Sequence, residues 1–406
     1  MHVLYVHQHF TTNAGASGTR SYDYARYLVQ RGHRVTVVTG VYALGPFVRD
    51  VRGLIETRWI DGIRVVIVNV PYANEMSFAG RLLSFLLFAA GSVVACLRQG
   101  RVDVVLATST PLTVGIPALA MRWLRRVPYV FEVRDIWPAF AVSIGRLKNP
   151  LLIRLAAWAE RTFYRHAGRV QTISEGMREL LAGRGLPAEK LAMMPTGVDM
   201  ALYEGAAGDD SLRRELGWSE RLLAVYAGAH SDANGLEYLV ETAAALKDDR
   251  RIGILLIGEG RSKNGLMAMA ARRGLDNIAF RPRLPKQRLV GILTDADVGL
   301  VILKPLPEFT IAMPNKLFDY MAAGLAIAVN FPGDAAGQLA KSGAGVAADP
   351  AAPATLAAAL RQWADRPEEL ARAKQSAREL ARSYDRRKWA GELESVLAAV
   401  AAGGRG

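Results

Sequence analysis

Apolar positions along this chain recur in two alternating rhythms. His2 to Val6 is a short apolar run that reads as a buried strand. A glycine-containing loop, Thr11 to Thr19, follows it. Tyr22 to Gln30 then carries apolar residues at helical spacing, with Arg31-Gly32-His33 as the stop, and Val35 to Thr39 is the next strand. The order repeats with a strand over Val102 to Thr108, a turn at Ser109-Thr110-Pro111, a helix over Leu112 to Leu124 and a strand over Tyr129 to Val133. A second series places strands at Leu222–Tyr226, Ile252–Ile257, Ile278–Phe280 and Val298–Ile302, separated by helical patterns at Gly235–Leu246, Leu266–Arg273 and Leu289–Thr294. Strand–helix alternation predicts an α/β fold with parallel, doubly wound sheets, and two series predict two Rossmann-like domains.

Pro195-Thr196-Gly197-Val198-Asp199 reads as the turn and hinge between them, and Gly205 to Asp210 as a polar surface loop. The domains are expected over 1–198 and 199–383, with 384–406 a carboxy-terminal helix packing back on the first domain and ending in a frayed Gly403-Gly404-Arg405-Gly406 tail. A ligand cleft is expected between the domains, outside the carboxyl ends of both sheets.

Length and composition sharpen this picture. With 406 residues, 51% apolar and 22% charged, the chain has the make-up of an ordinary multidomain globular protein. The single cysteine, Cys96, excludes an internal disulfide framework and a Cys-rich zinc site and fits a reducing compartment. Met1 to Phe10 lack the charged and apolar regions of a signal peptide, so a cytoplasmic location is expected. Leu82 to Leu97 is sixteen residues long, short of the ~20 that span a bilayer. Framed by Arg81 and Arg98, it reads either as a buried helix or as one lying on a membrane surface.

The formal charge of +13 is uneven: residues 1–200 hold 24 basic and 13 acidic side chains, whereas 201–406 hold 27 and 25. A basic half points to a polyanion, either nucleic acid or an anionic membrane surface. No zinc finger, basic zipper or aromatic RNA-binding signature is present, so no nucleic acid is expected and the membrane surface is the expected partner.

Pro314-Asn315-Lys316-Leu317-Phe318-Asp319-Tyr320-Met321-Ala322-Ala323-Gly324 carries the clearest chemistry. Pro314 is preorganised for a first helical turn and Gly324 is a natural stop. Unpaired amides near Ala312 and Met313 would make an anion site that Lys316 reinforces, and Asp319, one turn on, lies on the same face as Lys316. The pattern suits a nucleoside diphosphate, phosphate on Lys316 and ribose hydroxyl on Asp319; the same two residues read equally as an exposed ion pair. Gly15 and Gly18, in the loop Asn13 to Arg20, permit close backbone approach to a diphosphate or sugar, and read otherwise as a tight strand-to-helix connection. His7 and His9 have no carboxylate or cysteine set beside them, so no metal is expected. Trp137-Pro138 reads as a packing corner.

Several segments together resemble the retaining glycosyltransferases of family 4: Gly15 to Arg20, Arg31 to Thr39, Phe131 to Pro138, Pro195 to Asp199, Ile257 to Gly260 and Pro314 to Gly324. The resemblance spans nearly the whole chain. It implies the GT-B fold, two facing Rossmann-like domains with an interdomain cleft, and metal-independent transfer without a bound cofactor. Most similar are bacterial members that build O-antigen, capsule or related glycans.

The family's pattern puts Asp319 at the second acid of a Glu-x7-Glu pair, where it binds ribose. Ile311 replaces the first acid, which leaves Glu308 as the substitute if the loop is re-registered. Where relatives hold the diphosphate with Arg and Lys, this chain has Gly228 to Gly235, so His230 and Asn234 fall near those cations and Lys316, Lys263 and Arg283 are left to neutralise charge. Gly258 and Glu259 become base-binding candidates. Arg134, where many relatives have His, and Asp135 are assigned to orientation of the donor sugar or acceptor. Catalysis is thereby expected from Arg134, Asp135 and Lys316. Donor binding is expected from Gly15, Gly18, Arg20, Gly228, His230, Asn234, Gly258, Glu259, Lys263, Arg283, Met313, Pro314, Asn315 and Asp319.

The resulting expectation is a peripheral inner-membrane enzyme moving a hexose, N-acetylated or deoxy, from a UDP- or GDP-sugar to a lipid-linked glycan acceptor. Two alternatives stand beside it: a UDP-sugar epimerase on the same fold, and a catalytically silent nucleotide-sugar-binding partner.

Overall fold

The computed structural model describes residues 1–12, 19–42, 44, 50–73 and 76–404. It divides into two compact units, Met1–Pro195 together with Arg386–Gly406, and Thr196–Asp385. The divisions lie a few residues from the expected 198/199 and 383/384.

In the first unit eight strands form one sheet: β1 (His2–Val6), β2 (Arg34–Gly40), β3 (Ile55–Ile60), β4 (Ile63–Val68), β5 (Val104–Thr108), β6 (Tyr129–Val133), β7 (Arg169–Thr172) and β8 (Leu191–Met193). Their order is β3-β4-β2-β1-β5-β6-β7-β8, parallel throughout except for the β3–β4 pair. Side chains of alternate strand positions point to opposite faces. Val3, Tyr5, Val35, Val37, Val104 and Leu106 meet the helices Arg20–Gln30 and Arg386–Gly403, so the carboxy-terminal helix completes the core of this unit through Leu393 and Leu397. The helices Phe78–Leu97, Gly115–Arg125 and Pro150–His166 form the opposite layer, with Gly91 closed against Val68 of β4.

In the second unit the strands are β9 (Leu222–Ala227), β10 (Ile252–Ile257), β11 (Ile278–Arg281), β12 (Val298–Val301), β13 (Ala326–Val329) and β14 (Gly345–Ala347). All pairs are parallel, in the order β11-β10-β9-β12-β13-β14. The four inner strands β9, β10, β12 and β13 are almost entirely buried, as a sheet covered on both faces requires, while the edge strands β11 and β14 are partly exposed. In each unit the strand order reverses once, between β1 and β5 and between β9 and β12. Ligands of open α/β sheets bind beside the carboxyl ends of such strand pairs.

Two elements depart from the sequence reading. The pair β3–β4 is a hairpin turned at Asp61-Gly62, both with positive φ (49° and 78°). The apolar helix is longer than the expected Leu82–Leu97: Ser77 caps it by accepting the Gly80 amide at 3.2 Å, and it runs over 20 residues, Phe78–Leu97. By length and composition it is apolar enough to cross a bilayer, yet Ser84, Phe88, Ala89, Ser92, Ala95 and Cys96 are buried as a stripe, which makes it a layer helix of this unit.

Candidate functional site

The carboxyl ends of β9 and β12 carry two loops that meet directly. The Lys304 amide donates to the Ala233 carbonyl at 3.1 Å, and the Lys304 stem lies over Gly235. The turn after β10 fits beneath the first loop because Gly258 and Gly260 lack side chains. A Cβ there would stand 1.9 Å from the Gly228 carbonyl oxygen and 2.1 Å from that of His230. The Tyr226 hydroxyl donates to Ala229 O at 2.9 Å and fixes the first turn after β9.

Lys316 lies at the centre of this arrangement. Its ammonium sits 3.7 Å from the centroid of the Tyr226 ring and beside Gly228. Burial lowers its pKa to about 7, and among the described residues no carboxylate pairs with it. A half-buried cation without a counter-ion favours an anion beside it. The helix Asn315–Ala323 begins at the same point, so the amides of Asn315 and Lys316 have no intrahelical acceptor and face the end where anions are favoured. Pro314 stands as the N-cap, Met313 is buried, and the Ala312 amide is already bonded to Phe309 O at 3.0 Å, which removes it from the expected anion site.

Asp319 does not pair with Lys316. Its Oδ1 accepts from Lys286 Nζ at 2.7 Å and from the Tyr203 hydroxyl at 2.8 Å. The two residues thus project to different partners, and the ion-pair reading of the segment fails.

Other expected ligands are engaged within the loops. Asn234 Nδ2 donates to Ala229 O and to Ser231 Oγ, both at 2.8 Å, which makes it a brace of the turn. Lys263 Nζ donates to Gly258 O at 3.0 Å, to Arg281 O at 3.2 Å and to Glu259 Oε1 at 2.8 Å, so its charge is engaged within the turn by the Glu259 carboxylate. Glu259 is exposed, and its pKa is lowered by the hydrogen bond from Lys263; the Arg283 amide also donates to it, while the Arg283 side chain is exposed. His230 is fully buried and both ring nitrogens lack partners. Burial and then the neighbouring Lys263 push its pKa down to about 4. It is therefore neutral and does not replace a cation. Glu308, in the turn Pro307–Phe309, keeps a buried Oε2 without a partner.

In the first unit, Arg134 and Asp135 follow β6. The Arg134 amide donates to Ser109 Oγ at 3.1 Å and the Asp135 carboxylate accepts from the Thr110 hydroxyl, which ties both to the end of β5. His7 and His9, past the end of β1, have lowered pKa values from burial and from Arg134, His9 reaching about 4. They make separate contacts: His7 Nδ1 shares a 2.8 Å hydrogen bond with Ser21 Oγ, while His9 packs on Tyr72 and Tyr42 with centroids 4.9 and 5.9 Å away. Trp137-Pro138 is a cis peptide corner.

Arg20 is not a ligand. It is buried against Glu132, donates to Met194 O at 3.0 Å and stacks on Tyr24, while Glu132 also accepts from Thr108 and Gln171 at 2.8 Å each. Gly15 and Gly18 lie outside the described residues. Sequence reading missed Tyr226, Tyr203 and Lys286, whose separations from Lys316 and Asp319 leave no spacing signal.

Residues 15–197 match the glycosyl transferase 4-like domain and residues 221–366 match the glycosyl transferases group 1 domain, so the two models together account for most of the chain. The chain belongs to the family 4 glycosyltransferases. Its sequence is 30% identical over 183 residues to WcaI of Escherichia coli (strain K12), provisionally named a colanic acid biosynthesis glycosyl transferase, covering 44% of each chain. The matched part spans about half the length of the curated relatives it aligns with. Among solved structures, Anabaena HepE in complex with UDP has a TM-score of 0.70 at 18% identity, over 98% of this chain and 100% of that one. Sucrose-phosphate synthase of Thermosynechococcus elongatus has a TM-score of 0.77 at 13% identity, over 99% of both. At these identities the likeness establishes the GT-B fold of this family 4 glycosyltransferase.

Proposed function

We propose that this family 4 glycosyltransferase moves a hexose, N-acetylated or deoxy, from a UDP- or GDP-sugar to a lipid-linked glycan acceptor, with retention, at the inner face of the cell membrane during surface polysaccharide assembly. The observation that carries the donor reading is Lys316: a half-buried cation that pairs with no carboxylate among the described residues, at a helix N-terminus, beside the point where the strand order of β9 and β12 reverses. Such a site suits a diphosphate, and Asp319 with Lys286 and Tyr203 supplies the polar group for the ribose. Glu308, with its unpartnered carboxylate oxygen, takes the place of the acid absent at Ile311. Support for UDP over GDP comes from HepE, solved with UDP and with UDP-glucose.

The anomeric C–O bond to the diphosphate breaks as the acceptor oxygen bonds to the same face of the anomeric carbon. The acceptor proton passes to the leaving phosphate, and Lys316 with the helix amides stabilises the charge that develops there. Arg134 and Asp135, held by Ser109 and Thr110, orient the acceptor or the sugar. The name of WcaI supports the polysaccharide setting, and the basic first half of the chain supports the membrane.

Transfer from labelled UDP- and GDP-sugars to a short-chain polyprenyl-diphosphate glycan tests the reading. A product of retained anomeric configuration is expected by NMR. An inverted product or interconversion of free UDP-sugars would contradict it, and donor binding without turnover would favour a silent binding partner.

A further inference from the structure

The outer layer of the first unit holds large apolar side chains in solvent. On the helix Pro150–His166, Leu151, Leu155 and Trp158 are 72%, 56% and 59% exposed and recur at i, i+4 and i+7, so they form one stripe. On the neighbouring helix Gly115–Arg125, Trp123 and Leu124 are 59% and 69% exposed. The two helices are pressed together: a Cβ on Gly115 would stand 2.4 Å from the Phe163 ring, and Trp123 meets His166 edge to face at 5.5 Å. Both exposed sets therefore lie on adjoining helices of one layer, Trp123 beside the carboxy-terminal end of the helix whose first half carries Leu151, Leu155 and Trp158. Single exposed apolar residues are normal on a protein, but five on two adjoining helices mark an interaction face.

Charge selects what the face meets. Between residues 76 and 168 the chain holds twelve Lys and Arg against four Asp and Glu. Two of the acids are buried: Glu132 against Arg20, and Glu160, which accepts from the Tyr164 hydroxyl at 2.9 Å. On the helix Pro150–His166 the exposed formal charges are Arg154, Arg161 and Arg165. At 100° per residue these three fall within about 40° of one another along one edge of the Leu151–Trp158 stripe. An apolar stripe with tryptophan, bordered by a row of arginines, is the pattern of a helix lying in a lipid interface, its rings among the headgroups and its guanidinium groups on anionic lipid.

We infer that this two-helix face docks the chain on an anionic bilayer, through Trp123, Leu124, Leu151, Leu155 and Trp158 inserted at headgroup depth and Arg154, Arg161 and Arg165 on lipid phosphates. The inference deepens the membrane placement proposed above. It rests on that placement but not on the identity of the donor.

Flotation of the full chain with phosphatidylglycerol/phosphatidylcholine vesicles, and with phosphatidylcholine alone, tests it. Recovery is expected with the anionic vesicles at low salt and about tenfold less with neutral vesicles or high salt. Trp123→Ala with Trp158→Ala should lower anionic recovery about tenfold, and Arg154→Gln with Arg161→Gln and Arg165→Gln should abolish the preference for anionic lipid. All five residues are exposed, and the thermal midpoint of each variant checks that it is folded. Parent-like recovery of both folded variants would overturn the proposal. So would self-association of the parent without vesicles that the tryptophan variant abolishes, since the face would then join two copies. Nucleoside diphosphate binding measured on the same samples separates this outcome from failure of the donor reading.

Discussion

Lys316 and Arg20 show how burial assigns opposite roles to two cations that the sequence places in one site. Arg20 has Glu132 as its buried counter-ion, so its charge is already balanced. Arg20→Met should cost about 3–5 kcal/mol in urea unfolding by stranding Glu132, and Glu132→Gln added to it should recover part of that loss. Neither change should alter nucleoside diphosphate binding; a lost affinity would return Arg20 to the ligand set.

Lys316 is half-buried and pairs with no carboxylate among the described residues, and its pKa of about 7 lies below that of an ordinary lysine. Above pH 7 the unfolded chain then holds a proton that the folded chain has lost, so this group adds stability as pH rises from 7 towards the ordinary lysine value. A bound diphosphate reverses the shift by favouring the ammonium. Calorimetry about one pH unit above that value, in buffers of different ionisation heat, should show proton uptake on binding that is absent in Lys316→Met. Equal heats after correction in both proteins would remove Lys316 from the diphosphate.

At the scale of elements, strands with continuous apolar runs were legible because burial on both faces leaves no other pattern, and seven of the eight expected strands recur within one residue at each end. The hairpin β3–β4 carried its signal in Asp61-Gly62, which the strand–helix rhythm overshadowed. Strands β13 and β14 are too short and too rich in alanine and glycine to announce themselves. The proposed donor site was half legible. Pro314, Lys316 and Gly324 are local signals, whereas the partners that set their roles, Tyr226 under Lys316 and Lys286 with Tyr203 on Asp319, arrive from distant segments. Gly258 and Glu259 entered as base-binding candidates through the resemblance alone, since the close approach of this turn to Gly228 and His230 is a tertiary fact. Gly258→Ala must displace that loop, and overpacking of this kind costs about 1–3 kcal/mol. A lowered thermal midpoint with weakened nucleotide binding is expected. A parent-like variant would show that the turn is free to move.

For the whole molecule, charge and fold divide the work between the two units. The first carries the cationic excess and the exposed apolar helices, and the second carries the half-buried Lys316 at the reversal of its strand order. The central claim is that this cation holds the diphosphate of a sugar nucleotide. The direct test is thermal unfolding of the parent and of Lys316→Met with UDP, GDP and their sugar conjugates. A ligand at about 100 times its dissociation constant adds about 2.7 kcal/mol to the folded state. A raised midpoint is expected for the parent with one nucleoside diphosphate and its conjugates, with at least a tenfold weaker response in Lys316→Met. An unmoved parent, or a variant that responds as the parent does, would contradict it.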